Sequence, residues 1–175
     1  MSLPARPAPL NPSVKAIYPT EREILDGGSG WQQEVRAAIL QQSPESERLG
    51  VVLVDGTLAH TSLVRLRGFA SIDGSPKQIA LRPGQVCVHH CETSPSFRGK
   101  GLYPLMLQQI LRTECLEPSA KEALITCRRS NAASIQGIIK AGFVYSCSYL
   151  AAGFLGERIC FSHRYLDRRL ARVTL

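Results

Sequence analysis

No stretch of this sequence is apolar for long enough to cross a membrane. In the second half the longest uncharged stretch runs between Lys140 and Glu157. Gly142, Ser146, Ser148, Gly153 and Gly156 interrupt it. It falls short of the ~20 mostly apolar residues that a span needs. The opening MSLPARPAPLNP lacks the apolar core of a secretory signal. It reads as a flexible Pro-rich lead over residues 1–13, followed by a single domain over 14–175. The expected location is cytoplasmic, with no membrane partner. No period of roughly 20–50 residues recurs, which excludes solenoids and propellers. Neither a Walker loop, Gly-x-x-x-x-Gly-Lys-Ser/Thr, nor a dinucleotide-binding Gly-x-Gly-x-x-Gly is present. There are six cysteines, but the 175-residue chain is too long and too ordinary for a disulfide scaffold. Most of them sit in apolar runs, where a free thiol behaves as a small hydrophobe.

At 44% apolar and 20% charged residues, the composition excludes wholesale disorder. A chain of this length buries roughly 70% of its unfolded surface, enough for one core. Lys and Arg outnumber Asp and Glu by 21 to 14. The imbalance is local: residues 96–175 hold 12 basic and 5 acidic side chains, while residues 1–50 hold 5 and 6. The C-terminal half is therefore expected to meet an anion: a nucleotide-like molecule, an acidic partner or nucleic acid. The bland alternative is a solvated basic face.

Val14 to Tyr18 reads as a short strand. Thr20 to Glu23 fits a capping box for a helix ended by Gly27-Gly28, and Trp31 to Gln42 reads as a second helix. Leu49 to Val54, Asp55-Gly56 and Thr57 to Leu66 form a hairpin pattern. Residues 67–84 are mostly loop, with an extended piece at Ile79 to Leu81. Gln85 to Thr93 is the next strand. Gly99 and Gly101 open a helix from Leu102 to about Thr113, with Leu102, Leu105, Met106, Gln109 and Ile110 as its inner stripe. Ala123 to Arg128 is a buried-type strand. Asn131 caps a helix from Ala132 to Ala141, stopped by Gly142. The alternation from Phe143 to Tyr149 gives a strand with an aromatic face, and Arg158 to His163 a last one. The fold class is α/β, or α+β with a mixed sheet.

The sharpest element is Ser94-Pro95-Ser96-Phe97-Arg98-Gly99-Lys100-Gly101-Leu102-Tyr103. A strand ends, a Gly-rich turn follows and a helix begins. Such a turn offers backbone N–H groups at the positive end of a helix dipole. Arg98 and Lys100 add charge, and Arg can grip phosphate through two bonds. A plain strand–helix turn that needs two glycines is the alternative. The second element is Asn131-Ala132-Ala133-Ser134, closed by Gly142-Phe143.

Together these segments resemble the GNAT superfamily of acyl-CoA-dependent N-acyltransferases. That family's phosphate loop, Arg/Gln-x-x-Gly-x-Gly/Ala, falls on Arg98 to Tyr103. Its later Asn-x-x-Ala/Ser, helix and Gly-Phe fall on Asn131, Ser134, Gly142 and Phe143. The chain departs from the pattern at Tyr103, where Gly or Ala is usual. The resemblance implies a mixed, mostly antiparallel central sheet flanked by helices and splayed between two central strands. It implies acetyl-CoA as the acyl donor and no metal. The pantetheine arm would bond backbone groups of Cys91, Glu92 and Thr93. The pyrophosphate would sit on the amides from Gly99 through Lys100, Gly101 and Leu102 to Tyr103. Asn131 and Ser134 would face the pantetheine. Tyr103 would point away from the pyrophosphate or pack against the donor.

The implied chemistry is direct attack of a primary amine, on a small molecule or a peptide, on the thioester in a ternary complex. An ammonium with pKa ~10.4 must first lose a proton, so a general base is needed. His89 is the candidate, with Glu92 second. Alternation on an ideal strand places Cys87, His89 and Cys91 on one face and Val86, Val88 and His90 on the other. The family's usual acid, a helix tyrosine, falls at Ile138. Tyr145, Ser134 or water is then the alternative donor. Cys87-Val88-His89-His90-Cys91 resembles a metal cluster, but four strand residues span about 13 Å, too far for both sulfurs to reach one zinc.

Two rival readings are a non-catalytic CoA- or partner-binding module of the same fold and a basic nucleic-acid binder. The second would rest on Arg164, Arg168, Arg169 and Arg172, which no aromatic platform or recognition motif accompanies. Homodimerisation through the final hairpin is a further expectation.

Overall fold

The computed structural model describes residues 14–19, 46–71, 78–115, 122–150 and 157–164. The Pro-rich lead, the helices expected before Gln42 and the arginines beyond Arg164 lie outside these residues. Strand β1 is Val14–Ile17, β2 is Glu47–Val54 and β3 is Thr57–Arg65. Asp55 and Gly56 join β2 to β3 with φ of 50° and 78°. That pair of positive angles matches the right-handed twist of the strands it connects, which explains the Asp-Gly signal. β4 (Phe69–Ser71) and β5 (Gln78–Ala80) form a small two-stranded sheet in the segment expected to be mostly loop. β6 (Gln85–Thr93) leads through a 3-10 turn (Pro95–Phe97) into helix α1 (Leu102–Cys115). Then come β7 (Glu122–Arg128), α2 (Ala132–Lys140), β8 (Val144–Leu150) and β9 (Glu157–Arg164).

The main sheet has the order β1-β2-β3-β6-β7-β9-β8. Each neighbouring pair is antiparallel except β6 and β7, which are parallel and joined by the α1 crossover. This is the mixed, mostly antiparallel sheet expected. The last of the described strands, β9, inserts between β7 and β8.

Helix α1 lies on one face of the sheet. Met106, Leu107 and Ile110 are fully buried there with Val52, Val64, Val88, Ile125 and Ile138. The buried stripe differs from the expected one. Leu107 and Leu111 are inside, whereas Leu105 and Gln109 are half-buried. Periodicity gives the central line, Leu102, Met106 and Ile110, but not which flank meets the sheet. Val51, Leu49 and Leu63 form a second cluster on the opposite face. Helix α2 starts on Asn131, whose side chain accepts from the Ser134 amide. It stops at Gly142, with φ 100°, and the Phe143 amide closes back on the Ile138 carbonyl at 3.3 Å. Among the described residues no helix is long and apolar enough to cross a membrane.

Candidate active site

The pairing of β6 with β7 runs from Gln85↔Glu122 to Val88↔Ile125 and ends there. Beyond that point the two strands part, and a cleft of about 360 Å³ opens between them. Its walls include His89 to Glu92 from β6, Ile125 to Arg128 from β7, Tyr103 from α1, and Asn131 and Ser134 from α2.

A β-bulge aims the β6 side chains. Leu63 pairs with His89 and Thr61 with Glu92, so His90 and Cys91 together oppose Ser62. His90 takes φ 47°, uncommon for a residue with a Cβ. The extra residue reverses the alternation, which corrects the expectation that Cys87, His89 and Cys91 share a face. Cys91 instead lies with Val88 on the α1 side, where the Ser62 hydroxyl donates to its sulfur at 3.3 Å. His89 and Glu92 keep to the opposite face, with Cys87. The two sulfurs thus lie on opposite sides of the sheet.

On that opposite face His89 Nε2 bonds Glu47 Oε1 at 3.0 Å, and His89 Nδ1 meets His90 Nδ1 at 2.7 Å. Arg65 pairs with the same Glu47 oxygen. Burial lowers the His89 pKa; the Glu47 carboxylate opposes that shift, while His90 and Arg65 add to it. Glu92 is exposed at the cleft.

A polar chain that alternation alone does not reveal runs along the α1 side. His60 is 1% exposed, with Nδ1 2.7 Å from Thr93 Oγ1 and Nε2 2.8 Å from Ser62 Oγ. Ser62 donates to Cys91, so it accepts from His60 Nε2–H, and Thr93 donates to His60 Nδ1. The Cys91 thiol donates weakly to the His89 carbonyl. Burial pushes this thiol up to about 11, so it stays protonated at neutral pH. The sequence clue was His60 and Ser62 at alternate positions of β3, on the same face as Val64.

Tyr103 lies between the two helices. Its ring covers Gly137, where a Cβ would come within 2.5 Å of Tyr103 Cδ1. Its hydroxyl lies 3.3 Å from Ser134 Oγ, inside the cleft. Burial raises its pKa, so it keeps its proton. Gly137→Val is expected to destabilise the fold by about 1–3 kcal/mol through overpacking. Urea unfolding of Gly137→Val with and without Tyr103→Ala should show coupling above about 1 kcal/mol. Additive losses would mean that the ring does not need the glycine.

The Gly-rich turn follows β6 outside the cleft lining. Gly99 and Gly101 have φ 76° and 75°, with open space where a Cβ would be. The first turn of α1 leaves the amides of Leu102 and Tyr103 without intrahelical acceptors, and Pro104 has none to leave. Arg98 Nε donates to the Thr93 carbonyl at 3.1 Å, and Lys100 Nζ lies 5.0 Å over the Phe97 ring. Both cations are thus anchored to the turn. The Thr93 carbonyl expected to serve pantetheine already accepts one bond. A left-handed glycine turn at a helix start, a parted strand pair and the Asn131 Nδ2 not used in capping are groups that could hold an extended phosphate-bearing thioester.

No family model and no curated protein matches the sequence. Solved structures do match its fold. RimL, the ribosomal L7/L12 alpha-N-protein acetyltransferase in complex with coenzyme A, superposes with TM-score 0.63 at 14% identity, over 89% of this chain and 96% of that one. AAC(6')-Ib, in complex with Parmomycin and acetyl-CoA, gives 0.59 at 16% identity, over 93% and 97%. A GNAT-family acetyltransferase from Streptococcus pneumoniae gives 0.55 at 13%, over 76% and 75%. With its parted central strands and its glycine turn before α1, this chain has the GNAT acetyltransferase fold.

Proposed function

We propose that this chain is an N-acetyltransferase that moves the acetyl group of acetyl-CoA to a primary amine by direct attack in a ternary complex. The observation that carries the reading is the parting of β6 from β7 directly before the glycine turn. The parted strands leave backbone groups of Cys91 and Glu92 for an extended pantetheine arm. The amides from Gly99 to Tyr103 meet the pyrophosphate. Asn131 and Ser134 flank the arm. A backbone N–H near Cys91 polarises the thioester carbonyl. The histidines on the opposite face, with Glu92 beside them, accept the amine proton.

Ile138, where the resemblance expects a tyrosine, is fully buried in the core and donates nothing. Tyr103 supplies the hydroxyl instead. Because it holds its proton, it acts as a hydrogen-bond donor to the leaving sulfur. A thiolate with pKa near ~8.5 leaves without full protonation, so a donor suffices. The buried Ile138 also favours the second reading, a CoA-binding module without turnover.

One assay separates the two readings. Acetyl-CoA is titrated calorimetrically, and thiol release is then followed with a panel of primary amines and N-terminal peptides. Micromolar binding and amine-dependent thiol release are expected. Binding without release under any amine would establish the module reading. No binding at millimolar acetyl-CoA would overturn both. The same reading includes a homodimer along β8, which ends the sheet order and exposes Val144 and Tyr145.

A further inference from the structure

The bulge at His90 does more than turn Cys91 over. It sets two imidazole rings edge to edge, 4.9 Å between centroids, with their Nδ1 atoms 2.7 Å apart. Only one of these two nitrogens can hold the proton between them. Glu47 decides which. Its carboxylate accepts and cannot donate, so the 3.0 Å bond to His89 places a proton on His89 Nε2. A neutral His89 then has a bare Nδ1. The proton in the 2.7 Å contact therefore belongs to His90 Nδ1, and His90 Nε2 carries the free lone pair. His90 is exposed and lines the cleft, whereas the His89 side chain is 12% exposed and turned toward Glu47.

We propose that His90 takes the proton from the attacking amine and that His89 and Glu47 store it. The inference rests on the acetyltransferase reading for its substrate, but not for its proton geometry. As the amine nitrogen bonds the thioester carbon, one N–H proton passes to His90 Nε2. The His90 Nδ1 proton moves to His89 Nδ1. The C–S bond breaks with its electron pair on sulfur, leaving an amide, a thiolate and one positive charge on His89. That charge lies against Glu47, whose second oxygen is buried with no hydrogen-bond partner among the described residues. The groups facing His89 are Glu47 from β2, Arg65 from β3 and His90 from β6 itself. Arg65 already neutralises much of Glu47, so the stored proton is held loosely and returns to solvent after each turnover.

The geometry makes a claim that does not depend on turnover. In the full chain labelled with ¹⁵N-histidine, NMR at pH 7.5 should show His90 as the Nδ1–H tautomer and His89 as the Nε2–H tautomer. A proton on His90 Nε2 at that pH overturns the relay, whether or not acetyl transfer is seen.

The kinetic arm uses acetyl-CoA and n-propylamine, read by thiol release. His90→Gln is expected to lower kcat about 100-fold with the acetyl-CoA KM unchanged. Glu47→Gln should lower kcat less and move the pH profile, because the store loses its counter-charge. An unchanged kcat in His90→Gln overturns the proposal. The expected tautomers in a protein that transfers acetyl to no amine would sink the acetyltransferase reading, and the amine relay with it, while upholding the proton geometry of the histidine pair.

Discussion

Gly101→Trp is expected to raise the acetyl-CoA Kd by at least about 100-fold, a loss of about 2.7 kcal/mol. Gly101 has φ 75° and directly precedes α1, whose first-turn amides have no intrahelical acceptors. A Cβ there meets nothing within 4 Å beyond its chain neighbours, so the indole has room to occupy the turn that would hold the phosphates. The left-handed backbone costs a non-glycine residue about 1–2 kcal/mol, which lowers stability but does not unfold the chain. Gly56→Trp is the matched control. Gly56 has φ 78° and equally open surroundings, but it lies in the β2–β3 turn. Calorimetric titration should show binding lost in the first variant and kept in the second, with similar falls in Tm. A Gly101→Trp Kd within threefold of wild type would mean that the turn does not hold the donor.

The second large effect is on stability. His60 is buried in the polar chain beneath the cleft, and burial lowers its pKa to about 4 from the ordinary 6.5. The unfolded chain takes up a proton at this residue near pH 6.5, while the folded chain resists until about pH 4. Its contribution is therefore complete above pH 6.5. It is lost as pH falls from 6.5 toward 4, by about 3 kcal/mol in all. Below pH 4 this group adds no further slope. Urea unfolding of wild type and His60→Gln at pH 7.5, 5.5 and 4.5 isolates it. The variant starts less stable but should lose less between the first and last pH. Parallel losses would show that His60 titrates normally in the fold. The lowered pKa of His89 acts in the same direction, is present in both proteins and cancels in the comparison.

The two histidines show how far a sequence reading reaches. His89 was legible as a candidate because it stands on a strand that runs into a glycine turn. Its partner was not. Glu47 lies 42 residues away and reaches it only because β2 and β6 both flank β3. The role of His90 depended on the bulge, since ideal alternation places it on the wrong face. Tyr103 looked like a departure from the phosphate-loop pattern. Gly137 was the signal that could have placed it, because a glycine inside a helix is unfavourable by about 0.5–1 kcal/mol unless something needs the space.

The sequence by itself determined the strands and helices from Gln85 to Lys140, the hairpin at Asp55-Gly56, the Asn131 cap, the Gly142 stop and the glycine turn. Each depends on forces within a few residues: the sign of φ, a side chain bonding a nearby amide, or the period of apolar residues. Tertiary structure alone decided the flank that α1 buries, the phase of β6 beyond His90, and the Glu47–His89 bond. It also decided the His60 chain and the gap that Tyr103 fills. These depend on strand register and on which element covers which face, and no local signal carries either, because the partners are distant in the chain and meet only when the sheet forms.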